Sequence, residues 1–383
     1  LAQGYLHVEV ASAQSAKRAG DPCGDFLRFE RSPLATTIVC ADGIGSGVKA
    51  NVAAVMCVSR LFELLERDFS LREAFAAVAR TMTAAMGSDL PFVAFTVARI
   101  HADGRATVLS YEAPPPILVG KRRAQVLNQR TLSLERAVVG EAQCHLESGE
   151  GLLICSDGIT QAGMGSGFGL GWEASGVCDH VNELLADGVP TPTMAAEVHD
   201  HARLLWGLKS GDDCTAILAS CRPGITVNIL TGPPAHRADD RTLVGRFLQS
   251  EGRKVVCGAT TAKIVGQRLG VSLEVEQSES LIAPPTYRLK GVDLVTEGAV
   301  TLNQAYNILD EDPTEYEEES GVTHLCDLLH GADRVNIFLG MARNPASGDI
   351  AFRQQGILPR IKVVPLLAER LRQQGKLVVV EKF

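Results

Sequence analysis

The sequence predicts a two-domain α/β protein. The first domain is expected to be a sandwich of antiparallel sheets with helices, and the second an α/β domain built on a mainly parallel sheet. Three observations carry this. In the first 222 residues, short strand-like runs are interrupted by paired helical segments, which suits layered antiparallel sheets. After residue 223, strands and helices alternate with short connections, the pattern of βαβ units. Between the two regimes stands Arg222-Pro223-Gly224, where the boundary is expected, giving domains 1–222 and 223–383.

The elements follow in order. Gly24 to Arg31 and Ala35 to Ala41 read as strands around a Ser32-Pro33 turn. Val48 to Asp68 carries Val52, Val55, Met56, Leu61, Leu64 and Leu65 at helical spacing. Leu71 to Met86 repeats the pattern behind Ser70, with Glu73 placed for a capping box. Phe92 to Ala113 alternates on either side of Ala102-Asp103-Gly104, a hairpin signature. Gly151 to Ser156 and Cys214 to Ser220 are short apolar strands, with helices from Cys178 to Ala186 and Thr193 to Leu205 between them. In the second domain the strands are Ile225 to Leu230, Lys254 to Cys257, Val271 to Val275, Arg334 to Leu339 and Leu377 to Val380. Its helices are Asp240 to Gln249, Thr261 to Leu269 and Val364 to Gln373. Asp310 to Glu319 is acidic and reads as a solvated loop or helix end, and no internal repeat is visible.

Composition narrows the function classes. A net charge of -8 and a pI near 5.7 argue against a nucleic-acid partner, which needs a basic stripe. No apolar run is long enough for a membrane span, and Leu1 to Val10 lacks the basic and apolar regions of a signal peptide, so neither membrane nor secretion is expected. The ten cysteines form no C-x-x-C pair and mostly sit in apolar runs, as at Cys40, Cys57, Cys155 and Cys257. They read as reduced core thiols, which points to the cytoplasm. His324 and Cys326 are close in sequence, but two ligands do not make a metal site.

Four short acidic motifs stand out: Gly24-Asp25, Ala41-Asp42-Gly43-Ile44-Gly45-Ser46-Gly47, Cys155-Ser156-Asp157-Gly158 and Gly211-Asp212-Asp213-Cys214-Thr215. In two of them an apolar strand ends in Asp-Gly. A carboxylate there is fixed by the sheet behind it and open in front, and the glycine lets backbone approach a ligand. Carboxylates gathered at strand ends suit hard cations such as Mg²⁺ or Mn²⁺.

Taken together and in this order, the motifs resemble those of the metal-dependent PP2C-type phosphatases, in the bacterial branch typified by the sporulation protein SpoIIE, over residues 7 to 220. The resemblance implies an αββα sandwich with a centre of two divalent cations, Mn²⁺ or Mg²⁺, between the sheets. It assigns Asp42 to bridge both cations, the Gly43 carbonyl to complete one shell, Asp157 and Asp212 to hold the other, and Asp25 to coordinate or to orient a metal-bound water. Asp42 and Asp25 are thus the expected catalytic residues, and Asp213 reads as a surface or capping carboxylate. The implied chemistry is direct in-line attack by a water that two cations share and activate. It needs no nucleophilic side chain, so Cys155 is assigned to the core. Ile44 stands where eukaryotic members carry a histidine. Lys17 or Arg18 lies near the place of their phosphate-gripping arginine and reads as a solvated charge. Val48 to Met86 corresponds to a segment that can act as a regulatory switch in the SpoIIE branch, and a simple core-covering helix pair is the competing reading.

The implied activity is a phosphoserine/phosphothreonine protein phosphatase in bacterial partner-switching signalling, acting on a phosphorylated protein such as an anti-sigma-factor antagonist. A homodimer is compatible with it. The alternatives are a catalytically degenerate binding module and a phosphatase of small phosphoesters. In the second domain, Thr231-Gly232-Pro233-Pro234 and Cys257-Gly258-Ala259-Thr260-Thr261 follow strands. The latter opens into a helix, so Gly232, Gly258, Thr260 and Thr261 are candidate ligand-binding residues of a regulatory, small-molecule-sensing domain. A plain turn with a threonine N-cap is the competing reading, and Thr296-Glu297-Gly298 is a third such turn.

Overall fold

The computed structural model describes residues 5–85, 92–134, 137–165, 167–207, 211–276, 286–312, 316, 320–342 and 356–383. The chain divides into two compact units, Leu6–Pro223 and Gly224–Phe383.

The first unit contains, in order, β1 (Leu6–Ser15), β2 (Asp25–Arg31), β3 (Ala35–Gly43), α1 (Val48–Glu66), α2 (Leu71–Ala85), β4 (Val93–His101), β5 (Arg105–Tyr111), β6 (Ile117–Val119), β7 (Ala124–Val126), β8 (Arg130–Leu134), β9 (Ala137–His145), β10 (Gly151–Cys155), α3 (Asp157–Thr160), α4 (Glu173–Ala186), α5 (Met194–Leu205) and β11 (Cys214–Pro223). They form two antiparallel sheets, ordered β1-β11-β10-β6-β7 and β2-β3-β4-β5-β9-β8. Between the sheets lies a core that includes Val8, Ile38, Ile100, Val108, Ile154 and Ile217. Helices α1 and α2 cover the outer face of the second sheet through Val58, Leu61, Phe75 and Val78. Helices α3 to α5 cover the first sheet through Ile159, Val177, Val181 and Val198. This is an αββα sandwich. It explains why β3 and β11 read as near-continuous apolar runs, since each is covered on both faces.

Several local expectations hold. The Ser70–Glu73 capping box forms: Ser70 N–H donates to Glu73 Oε2 at 2.9 Å and Glu73 N–H to Ser70 Oγ at 3.3 Å. The hairpin over Ala102 to Gly104 joins β4 and β5. The face of α1 is a correction. Val52 and Met56 are 49% and 64% exposed, whereas Ala53, Ala54, Cys57 and Val58 are buried with Leu61 and Leu64. Small residues face the sheet because they let the helix lie close to it. The Met86 end of α2 falls outside the described residues.

The second unit contains β12 (Thr226–Thr231), α6 (Asp240–Gln249), β13 (Arg253–Cys257), α7 (Ala259–Leu269), β14 (Glu274–Glu276), β15 (Thr286–Arg288), β16 (Leu294–Thr296), α8 (Ala299–Ile308), α9 (Gly321–His330), β17 (Arg334–Leu339), α10 (Arg360–Gln373) and β18 (Leu377–Lys382). Its sheet, ordered β14-β15-β16-β13-β12-β17-β18, is parallel from β16 to β18 and antiparallel at β14 and β15. One helical layer packs Leu302, Leu325, Val364 and Leu367 against the sheet, and the other packs Leu243, Phe247 and Val265.

Three expectations need correction here. The strand placed at Val271 to Val275 is the edge strand Glu274–Glu276, antiparallel to its neighbour and outside the parallel core. Helix α7 starts at Ala259, two residues early, capped by Gly258 rather than by a threonine. Helix α10 starts at Arg360 and carries Pro365 inside it. Most of the acidic stretch Asp310 to Glu319 lies outside the described residues.

Candidate metal centre

Two sheets bring the acidic motifs together. In the β2–β3 ladder Asp25 is the cross-strand partner of Asp42, which fixes these two carboxylates side by side at one end of their sheet. The other sheet supplies Asp157, at the start of α3 directly after β10, and Asp212 and Asp213, directly before β11. Adjacent ends of β10 and β11 are tied together: Ser156 N–H donates to the Thr215 carbonyl and Thr215 N–H to Ser156 Oγ, both at 2.9 Å. Gly43 is buried against α1, where a Cβ would stand 2.2 Å from the Ala50 carbonyl oxygen. Only glycine fits there.

Asp25 is 2% exposed. Its Oδ2 accepts from Thr215 Oγ1 at 2.6 Å, while its Oδ1 has no partner among the described residues. Gln14 braces the pair, donating to Thr215 Oγ1 at 2.9 Å and to the Asp25 carbonyl at 3.2 Å. Asp157 Oδ2 accepts from Gln161 Nε2 at 2.8 Å, one helical turn on. Burial pushes Asp42 up to about 10, and the charges of Asp25 and Asp157 push in the same direction. Burial also raises Asp25 to about 6, opposed by hydrogen bonds from Thr215 and Ser156. Asp157 is raised as well, again chiefly by burial. A carboxylate cluster in this state lacks positive charge.

Two residues differ from their sequence reading. Asp213 is 3% exposed, not a surface carboxylate. Its Oδ1 accepts from Lys17 N–H at 2.7 Å and its Oδ2 is buried without a partner among the described residues. Lys17 is not simply solvated: its Nζ lies 3.4 Å from Asp212 Oδ1. Other participants had no role in the sequence reading. Ser156 and Thr215 sit inside the quoted motifs, so their hydroxyls were the available signal. Gln14, Gln161 and Glu112 carry none. Glu112 lies with Asp42 and Asp157 around a small crevice and holds a left-handed φ of 52°, a conformation uncommon outside glycine. Ile44 is 67% exposed and supplies no proton-transfer group. Cys155 is buried, and its thiol is raised to about 12 by burial, which fits a core residue.

Among the described residues no three His, Cys, Asp or Glu side chains stand as a finished metal cage. The donor set nevertheless fits hard divalent cations. Every available donor is a carboxylate or carbonyl oxygen, two buried carboxylate oxygens lack partners among the described residues, and the carboxylates raise one another's affinity for positive charge. His324 and Cys326 do not form a site: Cys326 is buried in the core of the second unit and His324 is exposed. Of the second-unit candidates, Gly232, Gly258, Thr260 and Thr261 line one cleft. Thr261 is engaged there, its Oγ1 accepting from Gly232 N–H at 3.1 Å.

Residues 33–222 match the family model of Stage II sporulation protein E (SpoIIE). Similar solved structures include the RsbU and RsbW domains of Rv1364c from Mycobacterium tuberculosis, at 18% identity and TM-score 0.49, covering 64% of this chain and 70% of that one. The PP2C phosphatase domain and regulatory-domain fragment of SpoIIE from Bacillus subtilis matches at 16% identity and TM-score 0.49, over 57% of this chain and 65% of that one. The serine/threonine phosphatase of S. agalactiae matches at 16% identity and TM-score 0.42, over 56% and 99%. No curated protein matches.

Proposed function

Since residues 33–222 belong to the SpoIIE family of PP2C-type phosphatases, we propose that this chain is a metal-dependent phosphoserine/phosphothreonine protein phosphatase. The observation that carries the reading is the convergence of Asp25 and Asp42 from one sheet with Asp157 and Asp212 from the other. Asp42, Asp157, Asp212, Asp25 and the Gly43 carbonyl would hold two Mn²⁺ or Mg²⁺ ions. When bound, such ions supply a water of lowered pKa as nucleophile and neutralise charge on the phosphoryl oxygens.

The chain's own residues do the positioning. The β2–β3 register holds Asp42 against Asp25. Thr215 fixes the Asp25 carboxylate through a hydrogen bond, Ser156 Oγ in turn accepts from Thr215 N–H, and Gln161 fixes Asp157. Supports of this kind keep ligands oriented. Lys17, beside Asp212, is placed to attract the substrate phosphate. The substrate is a phosphorylated protein, and an anti-sigma-factor antagonist in a partner-switching pathway is the class we favour.

The degenerate-module reading draws on one observation: the Lys17 ammonium already occupies the neighbourhood of Asp212. The pair is partly exposed, at 37% and 31% of the two side chains, so it is weak and a divalent cation can displace it. The test is hydrolysis of p-nitrophenyl phosphate and of a phosphoserine peptide with Mn²⁺, Mg²⁺ or EDTA. Metal-dependent release of phosphate is expected. Silence from folded protein that binds no manganese would favour the module instead.

A further inference from the structure

The second unit holds a cleft of about 660 Å³ that the phosphatase reading leaves unused. The parallel strands lie in the spatial order β16, β13, β12, β17, β18. By chain order within the unit these are the third, second, first, fourth and fifth. The order reverses between β12 and β17, and open sheets of this topology take ligands beyond the carboxyl ends of their strands. The cleft lies at that edge, lined by Gly232 after β12, Gly258 after β13, Glu297 and Gly298 after β16, and Ala342 after β17.

Its chemistry at one end is that of an anion site. Helices α7 and α8 both begin on the cleft, at Gly258 with φ 120° and Gly298 with φ 85°, and neither has a side-chain cap. The two glycines are in close contact, since a Cβ on Gly298 would lie 3.2 Å from Gly258 Cα. Two helix N-termini therefore sit side by side, and their first-turn N–H groups carry the positive ends of two macrodipoles. Arg360 lines the same cleft, its guanidinium held by neutral carbonyls of Gly340, at 2.9 Å, and Ala342. An independent sign of a ligand is Thr231. It lines the cleft, is 1% exposed, and its Oγ1 has no hydrogen-bond partner among the described residues. A buried hydroxyl is ordinarily satisfied, and a ligand oxygen would satisfy this one.

Glu297 gives the cleft a second character. Its Oε2 accepts from Tyr287 Oη at 2.8 Å. A carboxylate disfavours bare phosphate but accepts hydrogen bonds from sugar hydroxyls, and the cleft is of the size that holds a small organic ligand. We propose that this unit binds a ribonucleotide, with phosphate at the N-termini of α7 and α8 beside Arg360 and sugar hydroxyls at Glu297.

Calorimetric titration of the full chain in EDTA with ATP, ADP, NAD⁺ and inorganic phosphate tests this. EDTA denies the aspartate cluster its metal, so the outcome is separate from the phosphatase reading. At least one nucleotide should bind once per chain, at least tenfold more tightly than inorganic phosphate. Thr260→Asp places a negative charge in the first turn of α7, where the helix itself tolerates it. It should leave the fold intact and weaken nucleotide binding at least tenfold. Glu297→Gln should erase a preference for ATP over 2′-deoxy-ATP. Absence of nucleotide binding, binding that ignores Thr260→Asp, or inorganic phosphate binding as tightly as any nucleotide would overturn the proposal.

Discussion

At the residue scale, the aspartate cluster is arranged against its own charge. Burial raises Asp42 to about 10, helped by the charges of Asp25 and Asp157, and raises Asp25 to about 6, helped by the charges of Asp213 and Asp157. A raised carboxylate lends stability that is complete below its ordinary pKa and is lost as pH rises through its folded value. Metal-free protein should therefore lose thermal stability between pH 5 and pH 9, and Mn²⁺ should remove that loss. For the same reason Mn²⁺ affinity should rise with pH, with protons released on binding. Calorimetry in buffers of different ionisation enthalpy reads that release; affinity flat from pH 6 to 9 would count against the assignment. Thr215→Val deletes the hydroxyl that holds Asp25 Oδ2. It should lower metal affinity or turnover by about 10- to 100-fold while the fold persists, a loss that circular dichroism and metal titration separate from unfolding. Asp25, Asp42, Asp157 and Asp212 were legible because glycine neighbours mark them. Asp213 and Lys17 were not, because which of two adjacent carboxylates turns inward depends on the end of β11 and on a backbone N–H 196 residues away in the chain.

At the element scale, register does the work that spacing cannot reveal. Strand β1, sequence LHVEVASAQS, is half alanine, serine and glutamine, and its own propensity is poor. Ten consecutive pairings with β11 hold it in the sheet. The short strands β6 and β7 are equally silent in sequence, each being three residues long. Long helices were legible, but the first half of α1 was misphased, because Ala53, Ala54 and Cys57 rather than Val52 and Met56 are buried there, while Leu61 and Leu64 are buried as expected. Phe75, fully buried in α2 and 4.6 Å from the Phe95 ring, should cost about 3–5 kcal/mol when changed to alanine. Met56→Ala, at 64% exposure, should stay within about 0.5 kcal/mol. Urea denaturation of both variants checks the pair, and equal effects would mean that α1 and α2 pack otherwise.

At the scale of the whole molecule, strand–helix alternation marked the second unit's parallel core. It could not give the spatial strand order or the antiparallel edge, since both arise from long-range pairing. In the first unit, metal binding should be visible as stability. Ligand at a hundred times its Kd adds about 2.7 kcal/mol, which raises the melting temperature of a unit this size by roughly 5–10 °C. The most direct test of the two-metal phosphatase is to measure manganese content and p-nitrophenyl phosphate hydrolysis together, in wild type and Asp42→Asn. The account predicts two Mn²⁺ per wild-type chain with metal-dependent hydrolysis, and loss of both bridging occupancy and turnover in the variant. Folded wild type that binds no manganese, or a variant that hydrolyses as fast as wild type, would contradict it.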